Sequence, residues 1–125
     1  RAKKNIALYE KTDIRDFLKL YPEYQKTIDS VVADVSFISL RLILPSIKGL
    51  LKPKAELTVM CKPQFEAGKE QVNKGVIKNS KIRRAILQDF EVWLVDNGFQ
   101  ILNKADSQVA GTKGNVERFY KLRLA

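Results

Sequence analysis

Three residues in this 125-residue chain are placed where chemistry could be done. Asp34 lies near the end of residues 28–35, an apolar run that reads as a buried strand. Lys62 follows a second such run, residues 56–61, and precedes Pro63-Gln64-Phe65-Glu66. Glu117 stands at the start of a last run, residues 116–124, just after Gly114-Asn115. In open α/β sheets, ligands bind beyond the carboxyl ends of the strands. If the last strand runs antiparallel, its start lies on the same side as the ends of the other two. One ammonium and two carboxylates could then meet in one cleft. Each residue also has a plainer reading. Asp34 can close a strand and cap the next helix, Lys62 can be a solvated lysine before a proline, and Glu117 can be a surface acid.

Other chemistries are narrowed by what the chain lacks. It has no histidine, which removes the usual general base of serine and cysteine hydrolases. One cysteine, Cys61, allows no intrachain disulfide and, without histidine, gives no tetrahedral zinc set. That usage suits a reducing compartment, so a cytoplasmic location is expected. The basic N-terminus has no apolar run behind it and does not read as a signal peptide. The longest apolar region, residues 31–51, is interrupted by Asp34, Arg41, Pro45 and Lys48 and is not a membrane span. Lys and Arg outnumber Asp and Glu 23 to 14, a net charge of +9. Such an excess favours a polyanionic partner, RNA, DNA or an anionic membrane, unless it is only a solubilising surface.

The elements that must position these residues alternate. Residues 6–9 are consistent with a strand, 10–16 with a polar turn, and 17–24 with a helical turn stopped near Pro22. Leu40, Ile43, Leu44, Ile47, Leu50 and Leu51 recur at helical spacing, with a kink expected at Pro45. Lys52-Pro53-Lys54 reads as a breaker, and residues 64–79 as a polar loop. Ser80 can cap a helix whose apolar face carries Ile82, Ala85, Ile86, Phe90, Trp93 and Leu94, ended by Asn97-Gly98. A strand over 99–102, a loop over 105–115 and the final strand complete the chain. This is one domain of the α/β class with a mostly parallel sheet. The last two strands are joined without a helix, so one of them should run antiparallel.

The strings ADVSFISLRLILPSI, CKPQFEAGKE, KGV and GTKGNVERFY, in this order and spacing, resemble the TlyA, or haemolysin A, family of ribosomal RNA methyltransferases. The resemblance runs over residues 9–124. That family is FtsJ-like, which implies a Rossmann-like class I methyltransferase sheet with an antiparallel last strand. It also implies S-adenosylmethionine as cofactor, ribosomal RNA or ribosomal subunits as partner, and 2′-O-methylation of ribose, by analogy at cytidine. The family's catalytic set is Lys-Asp-Lys-Glu. Asp34 resembles its Asp, Lys62 its second Lys and Glu117 its Glu. A lysine amine, with an ordinary pKa of about 10.4, must lose its proton before it can act as a base. Desolvation or a neighbouring cation favours that loss and carboxylates oppose it. On this reading Lys62 steers or accepts the proton of the 2′-hydroxyl, and Asp34 and Glu117 orient it.

The same resemblance gives Asp13 a contact with the cofactor adenine, against an Asx turn on local grounds. Asp34, Ser36 and Phe37 would line the floor under cofactor and substrate, and Asn115 would position the last strand. Lys69, Lys74, Lys78, Lys81, Arg83 and Arg84 would form a basic rim for RNA phosphates, or a solvated surface. The first catalytic Lys, the glycine-rich cofactor loop, the acid that holds the cofactor ribose and a small RNA-binding domain are expected upstream of Arg1. The chain is therefore expected to be the carboxyl-terminal part of one methyltransferase domain, truncated or proteolysed, incomplete at its N-terminal side and inactive alone, with an exposed sheet edge. Departures from the family pattern include Lys74-Gly75-Val76 for a Gly-Gly-Val stretch, Ser107-Gln108 for Ser-Pro, and Lys81-Ile82-Arg83 where a histidine is usual. Two other readings are a non-catalytic RNA-binding remnant and a membrane-active haemolysin.

Overall fold

Strand β2 (Leu51–Cys61) is the element against which the others assemble. Ala55, Leu57, Val59 and Cys61 are buried on one of its faces, while Glu56, Thr58 and Met60 alternate onto the other. The computed structural model describes residues 5–73, 75–77, 79–108 and 114–125. Strand β1 (Ile28–Ala33) pairs with β2 in parallel, with Ser30 opposite Glu56 and Ala33 opposite Val59. On the other side of β2 lies β6 (Arg118–Leu124), antiparallel, running from Glu56–Arg123 to Cys61–Arg118. Strand β5 (Phe99–Asp106) closes the far edge, antiparallel to β6, and the order is β1-β2-β6-β5. This is the mixed sheet expected, with its antiparallel strand set between two parallel ones.

Both long helices pack on one face of this sheet. Helix α2 (Leu40–Lys48) buries Leu40, Ile43, Leu44 and Ile47. Helix α4 (Ser80–Asp96) buries Ile86, Leu87, Phe90 and Leu94. Most of these side chains join Leu57, Val59, Cys61, Tyr120 and Leu122 in a single core. Cationic stems help seal it: the Arg41 guanidinium lies 5.5 Å from the Phe90 ring centroid and the Lys48 ammonium 5.4 Å from that of Phe99. The opposite face is open. Val32, paired with Thr58, is 78% exposed, and Phe119, paired with Met60, is 39% exposed.

Several local expectations change in the structure. Residues 6–9 form no strand; Tyr9 instead packs its ring against Phe17, Tyr21 and Tyr24, around helix α1 (Ile14–Leu20) and the 3-10 turn Pro22–Tyr24. A strand needs a paired neighbour, and β1 does not supply one there. Lys52-Pro53-Lys54 does not end an element. The β1–β2 register shifts between Ile28 and Ser30, so these residues bulge out of the ladder, Lys54 at φ +68°, and the strand continues. Asn79, not Ser80, caps α4, its side chain accepting from the Ile82 N–H at 2.8 Å. On α4 Ala85 is exposed and Leu87 takes the core position. The stretch read as a polar loop holds the short helix α3 (Pro63–Glu66), the 3-10 turn Lys69–Gln71 and a small hairpin of β3 (Val72–Asn73) and β4 (Val76–Ile77). Strand β5 runs on to Asp106, past the expected start of a loop at residue 105.

An ion-pair network fastens α4 to β5 and β6. Glu91 accepts from Lys104 at 2.8 Å, Tyr120 at 2.7 Å and Arg118 at 3.3 Å. Asp106 accepts from Arg83 at 2.7 Å and Arg118 at 2.9 Å. Burial works against the charge on Glu91, but the bonds from Lys104 and Tyr120 outweigh it and hold its carboxyl below the ordinary range. Asp106 is likewise held low, by Arg118 first and then Arg83.

Leu57 is fully buried on the central strand, so Leu57→Ala should cost about 2–5 kcal/mol of folding stability in denaturant titrations, whereas the exposed Val92→Ala should stay within about 0.5 kcal/mol. A lowered carboxyl pKa contributes stability above the unfolded value, about 4.3 for Glu, and loses it as pH falls through that region. Glu91→Gln should therefore destabilise the protein clearly at pH 7, and the gap to wild type should narrow towards pH ~3 when unfolding is followed at both.

Candidate active site

The carboxyl ends of β1 and β2 lie side by side because these strands are parallel neighbours. Asp34 is the first residue beyond β1 and Lys62 the first beyond β2. Their side chains meet: the Lys62 Nζ lies 2.6 Å from Asp34 Oδ1 and donates to Ser36 Oγ at 2.9 Å. Lys62 keeps 12% of its side chain exposed and Asp34 60%, so the ammonium is sunk while the carboxylate faces out. Glu117 enters from the third strand. The β2–β6 ladder ends at Cys61–Arg118, and one further step of its register sets Glu117 opposite Lys62. Glu117 is 7% exposed, and its Oε2 accepts from Gln64 Nε2 at 3.3 Å. Thus Asp34 and Ser36 touch Lys62, while the bond of Glu117 goes to Gln64, two residues further on.

Two aromatic rings flank this group. Phe37, 87% exposed, has φ +62°, a left-handed conformation costly for a bulky side chain. Its ring centroid lies 5.1 Å from that of Phe65 in α3. The loops after β1 and β2 are therefore joined by an ion pair, a hydrogen bond and a ring contact. Below them sits a residue to which sequence reasoning gave no role, although the string KPQFE contains it. Glu66, its side chain 1% exposed, accepts from Ser39 Oγ at 2.6 Å, from the Leu40 N–H at 2.7 Å and from Arg41 Nη1 at 3.0 Å. Burial raises its pKa, and the bonds from Ser39, Leu40 and Arg41 oppose the rise. Nothing in a linear reading marks an acid as buried, so only the packing could reveal it.

The remaining expected residues are placed as follows. Asp13 caps α1, accepting from the Arg15 N–H at 2.9 Å and pairing with the Arg15 side chain at 2.7 Å. The Arg15 side chain, then its backbone N–H, lower the Asp13 carboxyl to about 2. These bonds are local, as in the Asx turn weighed for it, and they also cap the helix. Asn115 is buried, accepts from the Ile77 N–H at 3.1 Å and donates to the Gly75 carbonyl at 2.9 Å, tying the β3–β4 hairpin to the chain just before β6. Lys69, Lys81 and Arg84 are exposed. Arg83 is turned inward, to Asp106 and to the Val116 carbonyl at 3.0 Å. Lys74 and Lys78 lie outside the described residues. Cys61 is fully buried, and burial first of all pushes its thiol far up, so it is no thiolate nucleophile. Among the described residues no cluster of acids and Cys could hold a metal, and no helix is long and apolar enough to cross a membrane.

Comparison with known proteins bears on the family and the fold. The family model of FtsJ-like methyltransferases matches residues 1–124. The chain is 36% identical over 122 residues to the 23S rRNA (cytidine-2′-O)-methyltransferase TlyA of Campylobacter jejuni, covering 96% of this chain and 46% of that protein. It is 35% identical over 120 residues to the 16S/23S rRNA (cytidine-2′-O)-methyltransferase TlyA of Mycobacterium tuberculosis, covering 94% and 44%. A crystal structure from Lactococcus lactis that carries the hemolysin label superposes with a TM-score of 0.86 at 32% identity, over 98% of this chain and 58% of that one. The chain spans less than half the length of these two curated relatives. With the family model matched almost from end to end, and with a mixed sheet that superposes on the Lactococcus lactis structure, the chain belongs to the FtsJ-like methyltransferase family.

Proposed function

We propose that this chain forms the catalytic end of an S-adenosylmethionine-dependent methyltransferase that modifies ribose 2′-hydroxyls of ribosomal RNA, with cytidine as the nucleotide. The observation that carries the reading is the sunken Lys62 ammonium, held at 2.6 Å by Asp34 and 2.9 Å by Ser36 at the mouth of two parallel strands. The names of the TlyA relatives support the substrate and the nucleotide. Their greater length, together with the open β1 edge and the bare sheet face around Val32, supports a domain completed by further chain upstream.

S-adenosylmethionine supplies, when bound, a methyl group on a sulfonium sulfur. The residues present fit such a group: the carboxylate of Asp34 is 60% exposed and can accept from an ammonium, and the Phe37 ring stands open beside it. What the chain's own residues do is position the ribose and deal with its proton. Lys62 acts as the neutral amine, its ammonium proton having first passed to solvent by way of the exposed Asp34 carboxylate, and it takes the proton of the 2′-hydroxyl as that oxygen bonds to the methyl carbon. Asp34 and Ser36 fix where the Lys62 nitrogen points. Glu117, one register step beyond the Cys61–Arg118 pair and bonded to Gln64, adds a second carboxyl group beside Lys62. Lys69, Lys81 and Arg84 offer exposed cations to the RNA backbone.

Lys62→Ala in the intact protein should lower the rate of methyl transfer to ribosomal RNA by about 10²–10⁴-fold, the range of general acid–base contributions, with S-adenosylhomocysteine binding nearly unchanged by calorimetry. Wild-type turnover in that variant would remove Lys62 from the reaction. RNA affinity should fall steeply between 50 and 200 mM salt, as counterion release requires, and Lys81→Ala with Arg84→Ala should flatten the slope by about two. A salt response that the double variant leaves unchanged would place the RNA elsewhere.

A further inference from the structure

The loop that presents Asp34, Ser36 and Phe37 ends at Ser39, where α2 begins, and the loop that presents Lys62 ends in α3, at Glu66. The carboxylate of Glu66 crosses from one to the other. Its two oxygens take the Ser39 hydroxyl and the Leu40 N–H, the first free donors of α2, and it pairs with Arg41 of the same turn. Arg41 is itself anchored, with its guanidinium over the buried Phe90 ring and a second, longer bond of 3.4 Å to the Glu66 carbonyl. Four bonds thus converge on one residue at the base of the site, on the same two loops that Lys62 and Asp34 bridge above.

A buried ion pair adds little net stability, because desolvation cancels most of the attraction; what it does supply is a fixed geometry. Here the fixed quantity is the offset between the β1 and β2 loops. The Lys62–Asp34 contact is a weak determinant of that offset, since one partner is 60% exposed to solvent. We infer that Glu66 is a positioning residue for the methyl-transfer reaction: it touches no reacting atom, and it sets the distance at which Asp34 and Ser36 hold Lys62. The Lys62 role in turnover rests on the function proposed above; the brace itself does not.

The test uses the intact protein with Glu66→Ala, Glu66→Gln and Ser39→Ala. Turnover on ribosomal RNA gives kcat and the KM for RNA, and nitrogen-15 spectra of the lysine ammonium groups, with Lys62→Arg for assignment, report Lys62 without any turnover. Glu66→Ala should lower kcat by about 10²-fold, the effect of an ångström-scale misplacement, with the KM for RNA little changed. Its Lys62 signal should move to that of the free surface lysines. Glu66→Gln keeps an acceptor for the Leu40 N–H and should recover most of the rate and the signal. A merely structural residue would lower the melting temperature and leave both readouts alone. Wild-type kcat and an unmoved Lys62 signal in Glu66→Ala would overturn the proposal. If Glu66→Ala does not fold, Ser39→Ala, which removes one bond, should show the same changes in smaller measure, and unchanged readouts in that variant would overturn the proposal equally. If wild-type protein transfers no methyl but Glu66→Ala still releases the Lys62 signal, the reaction reading falls and the brace stands.

Discussion

The direction of β6 governs what this sheet can do. Hydrogen bonding to β2 and β5 places β6 between two strands that run the other way. Its first residues therefore lie at the end of the sheet where β1 and β2 finish. A parallel β6 of seven residues would carry Glu117 to the opposite edge, about 20 Å away at some 3.3 Å per residue. The antiparallel entry instead sets Glu117 across from Lys62 and leaves β1 to bring Asp34 from the other side. Three strand ends then contribute to one place, and β5 and β6, as antiparallel neighbours, need no crossover helix between them.

Around that frame, carboxylates are used in two ways. Glu91 and Asp106 lie towards the surface of α4 and the β5–β6 pair, each shared by at least two cations, and their charged forms are favoured. They clamp a helix to a sheet. Glu66 is more deeply buried and its charged form is disfavoured by that burial, yet all its bonds go to the first turn of α2. Removing one partner of such a pair leaves the other without its counter-charge, whereas the pair as a whole adds little over apolar groups of the same size. The apolar core beneath, with Leu44, Leu57, Val59 and Leu94 fully buried, supplies the stability that permits it.

The basic excess divides along similar lines. Arg41, Arg83 and Arg118 are spent inside the fold, on Glu66, Asp106 and Glu91, and Arg41 also seals the Phe90 ring. Lys69, Lys81 and Arg84 face solvent. Net charge therefore overstates what is available to a polyanion, and a run of neighbours such as Arg83-Arg84 can point one cation inward and the next outward, because successive residues on a helix lie about 100° apart.

By itself the sequence determined the periodic elements and their class. The apolar runs of β1 and the second half of β2, the helical spacing from Leu40 to Ile47 and the long helix ending at Asn97-Gly98 were legible, because burial imposes a period on residue type. The candidate site around Asp34, Lys62 and Glu117 was marked differently, by the resemblance of its strings to a known family. Tertiary structure decided what pairing and burial determine. Residues 6–9 have strand composition but no partner to bond, so they join an aromatic cluster instead. Lys52-Pro53-Lys54 interrupts a ladder rather than an element, because a bulge absorbs the proline. Whether an acid such as Glu66 is a solvated surface group or a buried brace depends on which loops meet above it. That meeting is a long-range contact, 25–27 residues apart in the chain, and no local pattern encodes it.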